Sequence, residues 1–216
     1  MTRVAIALCC LIALTHSVEA ADRSTSSRVK DNLFVSPNNP AIRVIVNKKF
    51  KYLGSVPFTI DNEAAGNRYV FVRATDGKRI QRMFIIQQEG FLPTSHDTYK
   101  YRIATPAALG KFEYQHSVIM YDNDAGIREE PGKESDVTKR FLESRGYVLE
   151  PELVMSRFAR PADSEHKHEI IFFCYENLSS YGHKLADFPE DANTPEKRVI
   201  QQKVDGNCRR TFRVND

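Results

Sequence analysis

The chain has 216 residues, with 31 Lys and Arg against 28 Asp and Glu and a net charge of +3. That balance is ordinary and does not by itself point to a polyanionic partner. With 41% hydrophobic and 27% charged residues the chain is not a disordered polyelectrolyte, and it is long enough to bury one real core.

Met1-Thr2-Arg3 is a short basic start, and the apolar run from Val4 to Leu14 falls well short of the ~20 residues needed to span a bilayer. Val18-Glu19-Ala20 and Ala21 offer small residues to a signal peptidase. Residues 1–20 therefore read as a secretory signal, cleaved after Ala20 or Ala21. Cys9 and Cys10 leave with it; Leu8, before Cys9, is not the small residue that a lipid-anchored cysteine requires. The expected location is secreted or periplasmic, with no membrane span in the mature chain. Cys174 and Cys208 then remain as a pair, and a lone pair in an oxidising compartment bridges. A catalytic thiol is the weaker reading, because Phe172, Phe173 and Tyr175 around Cys174 would raise its pKa and keep it inert.

Residues 21–40 are rich in Ser, Asn and Pro and read as a flexible leader; residues 41–216 read as a single domain. Ile42 to Val46 alternate as a strand, and Phe50 to Ile60 form a second, bent at Gly54. Asp61 to Asn67 read as a loop. Arg68–Ala74 and Arg79–Gln88 flank Thr75-Asp76-Gly77-Lys78, which predicts a two-residue type I′ hairpin centred on Asp76-Gly77. That turn would set Phe71 opposite Arg82 and Tyr69 opposite Phe84, so that three aromatic rings surround Arg82. Tyr99–Ile103 and Lys111–Tyr121 follow as strands, the second with Phe112, Tyr114, His116, Val118 and Met120 on one face. Asp122 to Lys133 read as an acidic loop. A helix then starts at Ser135 or Asp136 and closes at Gly146. Glu152–Arg160 is a further strand.

Glu165 to Asn177 is the longest segment of strand composition, apolar on both faces in its middle, as in a central strand covered on both sides. Thr194-Pro195-Glu196 starts a last helix, expected to end at Gly206, and Cys208–Val214 reads as a terminal strand. The sum is an α+β fold: one curved, mostly antiparallel sheet of about eight strands, or a partly closed barrel, with two helices against it.

Chemistry is sparse. His166-x-His168 would place two imidazoles on one strand face and is the weak metal candidate. Asp122-Asn123-Asp124-Ala125-Gly126 fails as a calcium loop, because Gly126 occupies the fifth position rather than the sixth. Glu89, at the end of an apolar strand, and His116, on an apolar strand face, are the weak acid–base candidates. The basic clusters are Lys48-Lys49-Phe50-Lys51 and Arg209-Arg210-x-x-Arg213. Asn177-Leu178-Ser179 is a glycosylation sequon, usable only in a eukaryotic secretory host. No phosphate loop or nucleophile elbow is present, and no cofactor or nucleic-acid partner is expected.

The first functional expectation is an exported, non-enzymatic binding protein. Its pocket would take an apolar or amphipathic ligand, lined by Tyr69, Phe71, Phe84, Tyr114 and His116 and anchored by Arg82. The alternatives are a secreted hydrolase using Glu89 or His116, and a secreted protein–protein interaction module without a pocket.

Overall fold

The computed structural model describes residues 26–38, 40–101, 106–189 and 193–215. The expected signal segment lies outside them. Among the described residues there are eleven strands and three α-helices. The strands are β1 (Arg28–Lys30), β2 (Leu33–Ser36), β3 (Ile42–Val46), β4 (Lys51–Ile60), β5 (Ala64–Ala74), β6 (Ile80–Phe91), β7 (Pro106–Leu109), β8 (Phe112–Asp122), β9 (Glu152–Pro161), β10 (His168–Asn177) and β11 (Phe212–Asn215). The helices are α1 (Asn123–Glu129), α2 (Glu134–Glu143) and α3 (Pro195–Arg209). The α+β antiparallel class holds. The single sheet of about eight strands does not: the strands form two sheets, ordered β1-β2-β3-β11 and β4-β5-β6-β10-β9-β8-β7, and neither closes into a barrel.

β10 is the middle strand of the seven-stranded sheet, and every residue from Glu169 to Asn177 is buried. Its composition explains both facts, since each face carries large apolar side chains that must be covered. On one face Ile170, Phe172 and Cys174 join Phe84, Ile86 and Phe158, and the four-stranded sheet covers them with Phe34, Val44, Val46, Phe212 and Val214. On the other, Ile171, Phe173 and Tyr175 join Val70, Val72 and Ile85 beneath Phe141 and Leu142 of α2. α3 lays Ile200 and Val204 over Val154 and Leu178. Phe172 alone stacks on Phe84 and meets Tyr114 and Phe212 at a tilt; removing such a buried ring costs about 3–5 kcal/mol.

Cys174 and Cys208 are bridged, with Cα atoms 5.6 Å apart. The link joins β10 to the last turn of α3, not to a terminal strand, because α3 runs through Gly206 to Arg209. Thr194 caps α3 as expected, its Oγ1 accepting from Lys197 N at 3.1 Å.

Several local expectations change for identifiable reasons. Residues 28–36 of the expected leader are the hairpin β1–β2, turned by Asp31 and Asn32 at φ 51° and 59°, a type I′ pair of two residues that tolerate positive φ. Asp61 and Asn62 turn β4 into β5 in the same way, so the loop is three residues long and Gly66 lies in the strand. There a Cβ would collide with the Gln88 carbonyl oxygen. The acidic loop after β8 is α1, capped by Asp122, whose Oδ1 accepts from the backbone of Asp124 and Ala125. Tyr99–Tyr101 is not strand; β7 instead comes from residues 106–109.

The β5–β6 turn is not the expected two-residue type I′ hairpin. Asp76 and Gly77 are not at positive φ; Lys78 is, at 58°. Lys78 N donates to Thr75 O, and Thr75 N to Arg79 O. This is a three-residue connection, a type I turn followed by a left-handed residue, with a bulge between Arg73 and Ala74. Past the bulge the register moves by two, so the side chains from Arg73 back along β5 keep their faces but change partners. Phe71 faces Phe84, Tyr69 faces Ile86, and Arg82 faces Arg73 instead of Phe71.

Candidate anion-binding cleft and two buried polar clusters

The register shift carries Arg82 away from the aromatic core to the end of the sheet. On one side it meets Arg73 across β5, and on the other Glu176 across β10. Arg82 Nε lies 3.3 Å from Glu176 Oε1. Glu176 is buried, and burial raises its pKa. Opposing that shift are the Tyr181 hydroxyl, which donates to its Oε2 at 2.6 Å, Arg82, and Asn207 Nδ2 at 3.3 Å. Tyr181 comes from the short 3-10 turn Leu178–Tyr181, and Asn207 from the last turn of α3. α3 also contributes Lys203, and Arg210 caps its C-terminus; together these groups line a cleft of about 400 Å³. Arg73, Arg82, Lys203 and Arg210 bring four positive charges to it, and Glu176 is the sole carboxylate in its lining.

A second polar cluster is enclosed on the opposite face of the seven-stranded sheet. Glu89 on β6 and Glu169 on β10 are directly opposite each other and buried. Two carboxylates so placed cannot both ionise. Burial, followed by the hydrogen bond and charge of Glu89, pushes Glu169 up to about 10, so it keeps its proton at neutral pH. Gln87 Nε2 donates to Glu89 Oε2 at 2.5 Å, and Arg68 Nε donates to Gln87 Oε1 at 2.6 Å. The Tyr99 hydroxyl donates to Glu89 Oε1 at 3.0 Å; burial and the two glutamates hold that phenol far above its ordinary value. The Tyr101 hydroxyl donates to Glu169 Oε2 and accepts from Arg157 at 3.3 Å. A continuous chain thus runs from Arg68 through the two carboxyls to Arg157. Glu89, picked out from sequence as half-buried, is there; its partner Glu169 was missed. The signal was present, since both glutamates end apolar strands, but the pairing of β6 with β10 across eighty residues of chain is not readable from spacing.

His116 forms the third cluster. Its Nε2 lies 2.8 Å from Asp205 Oδ1 and 3.3 Å from Ser156 Oγ, and its ring stacks on Phe158 with centroids 4.4 Å apart. Burial would raise the pKa of Asp205, but hydrogen bonds from His116 and Arg209 outweigh it and hold the carboxyl at about 2. Ser, His and Asp meet here, but not in a relay order. Ser156 is fully buried, and its hydroxyl donates to the same Asp205 oxygen that His116 Nε2 contacts. A relay needs the hydroxyl and the carboxylate on different ring nitrogens.

Tyr69, Phe71, Phe84 and Tyr114 do share one side of the sheet, but they are at most 7% exposed and packed into the intersheet core. None of them lines the Arg82 cleft. His166 lies in the turn before β10 at φ 56°, so strand alternation does not pair it with His168. His168 Nδ1 is 2.6 Å from Asp163 Oδ2, and its ring sits over Gly90. Among the described residues no group of three or more His, Cys, Asp or Glu converges as a metal site. Asn177 of the sequon is buried and donates its amide to Ile80 O at 2.8 Å, a bond that a glycan would displace. No helix among the described residues is long and apolar enough to cross a membrane.

Comparison of the chain with protein-family models, with curated proteins and with solved structures finds no match.

Proposed function

We propose that the chain is an exported, non-enzymatic binding protein, and that the cleft at Arg82 receives the anionic group of its ligand. One observation carries this reading. Arg73 and Arg82 are direct cross-strand partners, an arrangement that is destabilising between like charges, and Lys203 and Arg210 add to the same cleft. Glu176 answers one of these charges, and an anion in the cleft would answer the rest. Its volume, about 400 Å³, is that of a small-molecule site. Arg82 and Arg73 offer planar forks suited to carboxylate or phosphate oxygens. An apolar body on the ligand, if it has one, lies outward from this anchor, because the aromatic core behind it is filled.

The test is a thermal-shift panel of fatty acids, short dicarboxylates and inorganic phosphate. Arg73→Gln with Lys203→Gln is the informative variant, since both side chains are exposed and neither is in an ion pair with a described residue. The reading predicts a ligand-dependent rise in melting temperature for the wild type that this variant loses while staying folded. Arg82→Met should lose binding too, and should also cost stability, because it leaves Glu176 buried without its ion-pair partner. If no panel member shifts the wild type, the ligand class is wrong.

A hydrolase reading rests on a different observation. His116 and Asp205 lie within hydrogen-bond reach in a cleft of about 370 Å³ lined also by Arg198, Gln201 and Gln202. It predicts turnover of an activated ester that His116→Gln abolishes. The burial of Ser156 leaves that reading without a nucleophile, which is why the binding reading is preferred.

A further inference from the structure

We propose that the outward face of the four-stranded sheet is a docking surface for a lipid bilayer bearing anionic headgroups. The strand registers build two cross-strand rows on that face. One reads Arg28, Val35, Arg43, Asn215; the other reads Lys30, Leu33, Ile45, Arg213. The inward residues between them, Phe34, Val44, Phe212 and Val214, are buried against the larger sheet, so both rows point away from the core. Leu33, Val35 and Ile45 form an apolar island in the middle, and Ile45 is 45% exposed. Arg28, Lys30, Arg43 and Arg213 surround it. Neither row contains an acid, and none of these four cations forms an ion pair with a described residue; Asp31 lies in the β1–β2 turn, outside both rows.

Two basic clusters far apart in sequence extend the same face. Asn47 N donates to Thr211 O, and Asn47 Nδ2 to Arg210 O at 3.5 Å. These bonds set the exposed Lys48-Lys49 turn beside Arg209 and Arg210. A cleft of about 540 Å³ lies there between Ile45 and Arg213, with room for a headgroup.

Three physical points select the occupant. Edge protection would explain cations on β1 and β11, the edge strands, but not Arg43, which stands on the interior strand β3. A single-stranded nucleic acid would want rings to stack its bases on, and the aromatic residues of this sheet, Phe34 and Phe212, point inward. A soluble polyanion would answer the cations but leave the apolar island without a partner. An acidic bilayer answers both, since it takes Leu, Val and Ile into its interface and the Arg and Lys at its headgroups.

The experiment is co-sedimentation of the whole protein with phosphatidylcholine vesicles, with and without phosphatidylglycerol, at low and high salt. Wild type is expected to bind the anionic vesicles only and to be released by salt. Each cation near such a surface is worth about fivefold in partitioning, so Arg43→Gln with Arg213→Gln should weaken binding about twenty- to thirtyfold. Ile45→Ser should weaken vesicle binding severalfold and leave binding to heparin, the soluble polyanion control, unchanged. Absence of sedimentation with anionic vesicles at low salt overturns the proposal, as does a double variant within twofold of wild type. Heparin binding combined with an Ile45→Ser variant that binds vesicles as wild type does would make this a polyelectrolyte site instead, and would equally overturn it. These outcomes are independent of the ligand panel for the Arg82 cleft.

Discussion

Glu169→Gln should make the protein more stable at neutral pH, although it removes a buried acid from the middle of the fold. The reason is linkage. In the unfolded chain Glu169 loses its proton near the ordinary value of 4.5, whereas in the fold it holds that proton until about 10. Between those values the folded state binds one proton more than the unfolded state, so stability falls as pH rises through that window, by about 1.4 kcal/mol per unit. At pH 7 the accumulated cost is about 3 kcal/mol, an upper figure because Glu89 shares the titration. Glutamine matches the neutral acid in shape, can still accept from Tyr101, and has no proton to take up. Chemical denaturation from pH 4 to 9 checks this. The variant and wild type should coincide near pH 4.5 and diverge above it, with the variant the more stable. A variant that is less stable by the same amount at pH 5 and at pH 8 would mean that Glu169 is ionised in the fold, and that the shared-proton account of the pair is wrong.

Other consequences follow from single contacts. Reducing the Cys174–Cys208 bridge, which closes a separation of 34 residues, should cost about 4 kcal/mol in the chain-entropy view; two thiols alkylated in unreduced protein would show that the bridge does not form. Gly66→Ala should destabilise by about 1–3 kcal/mol because its Cβ would meet the Gln88 carbonyl and the Phe58 ring. Gly77→Ala should be neutral within about 0.5 kcal/mol, because Gly77 is not at positive φ and the nearest atom to a Cβ is Thr75 Oγ1 at 3.8 Å. Asp205 supplies an acid limb. Its folded value, about 2, lies below its ordinary 3.8, so its contribution is intact above about pH 4 and is lost as pH falls through 2. After discounting for its partial exposure that contribution is about 1–2 kcal/mol, and Asp205→Asn should abolish this part of the acid-unfolding profile.

Element identity was legible in the sequence wherever hydrophobic period and length agreed. The dense run of Ile and Phe at 170–173 marked β10 as central, because only a strand covered on both faces can bury such a run. The cap at Thr194-Pro195 and the bridge between Cys174 and Cys208 were legible for equally local reasons. Partner choice was not. Asp76-Gly77 carries the composition of a two-residue turn, yet Lys78 takes the left-handed position and lengthens the connection by one residue. That residue moves Arg82 from among the rings to the cleft, a change of surroundings that composition alone does not encode. Residues 28–36 were polar enough to resemble a leader. They are strands because Phe34 buries its ring against Tyr69, a contact between positions 34 and 69 that no local pattern encodes. Glu169 escaped notice for the same reason, since its chemistry exists only once β6 and β10 are paired.

The central claim is that four cations around Glu176 hold an anionic group, and native mass spectrometry of the purified protein tests it most directly. The account predicts a noncovalent adduct of acidic chemistry on the wild type that is absent from Arg73→Gln/Lys203→Gln protein of the same folded charge-state envelope. An adduct retained equally by both proteins, or a wild type that stays bare across the whole anion panel, would contradict it.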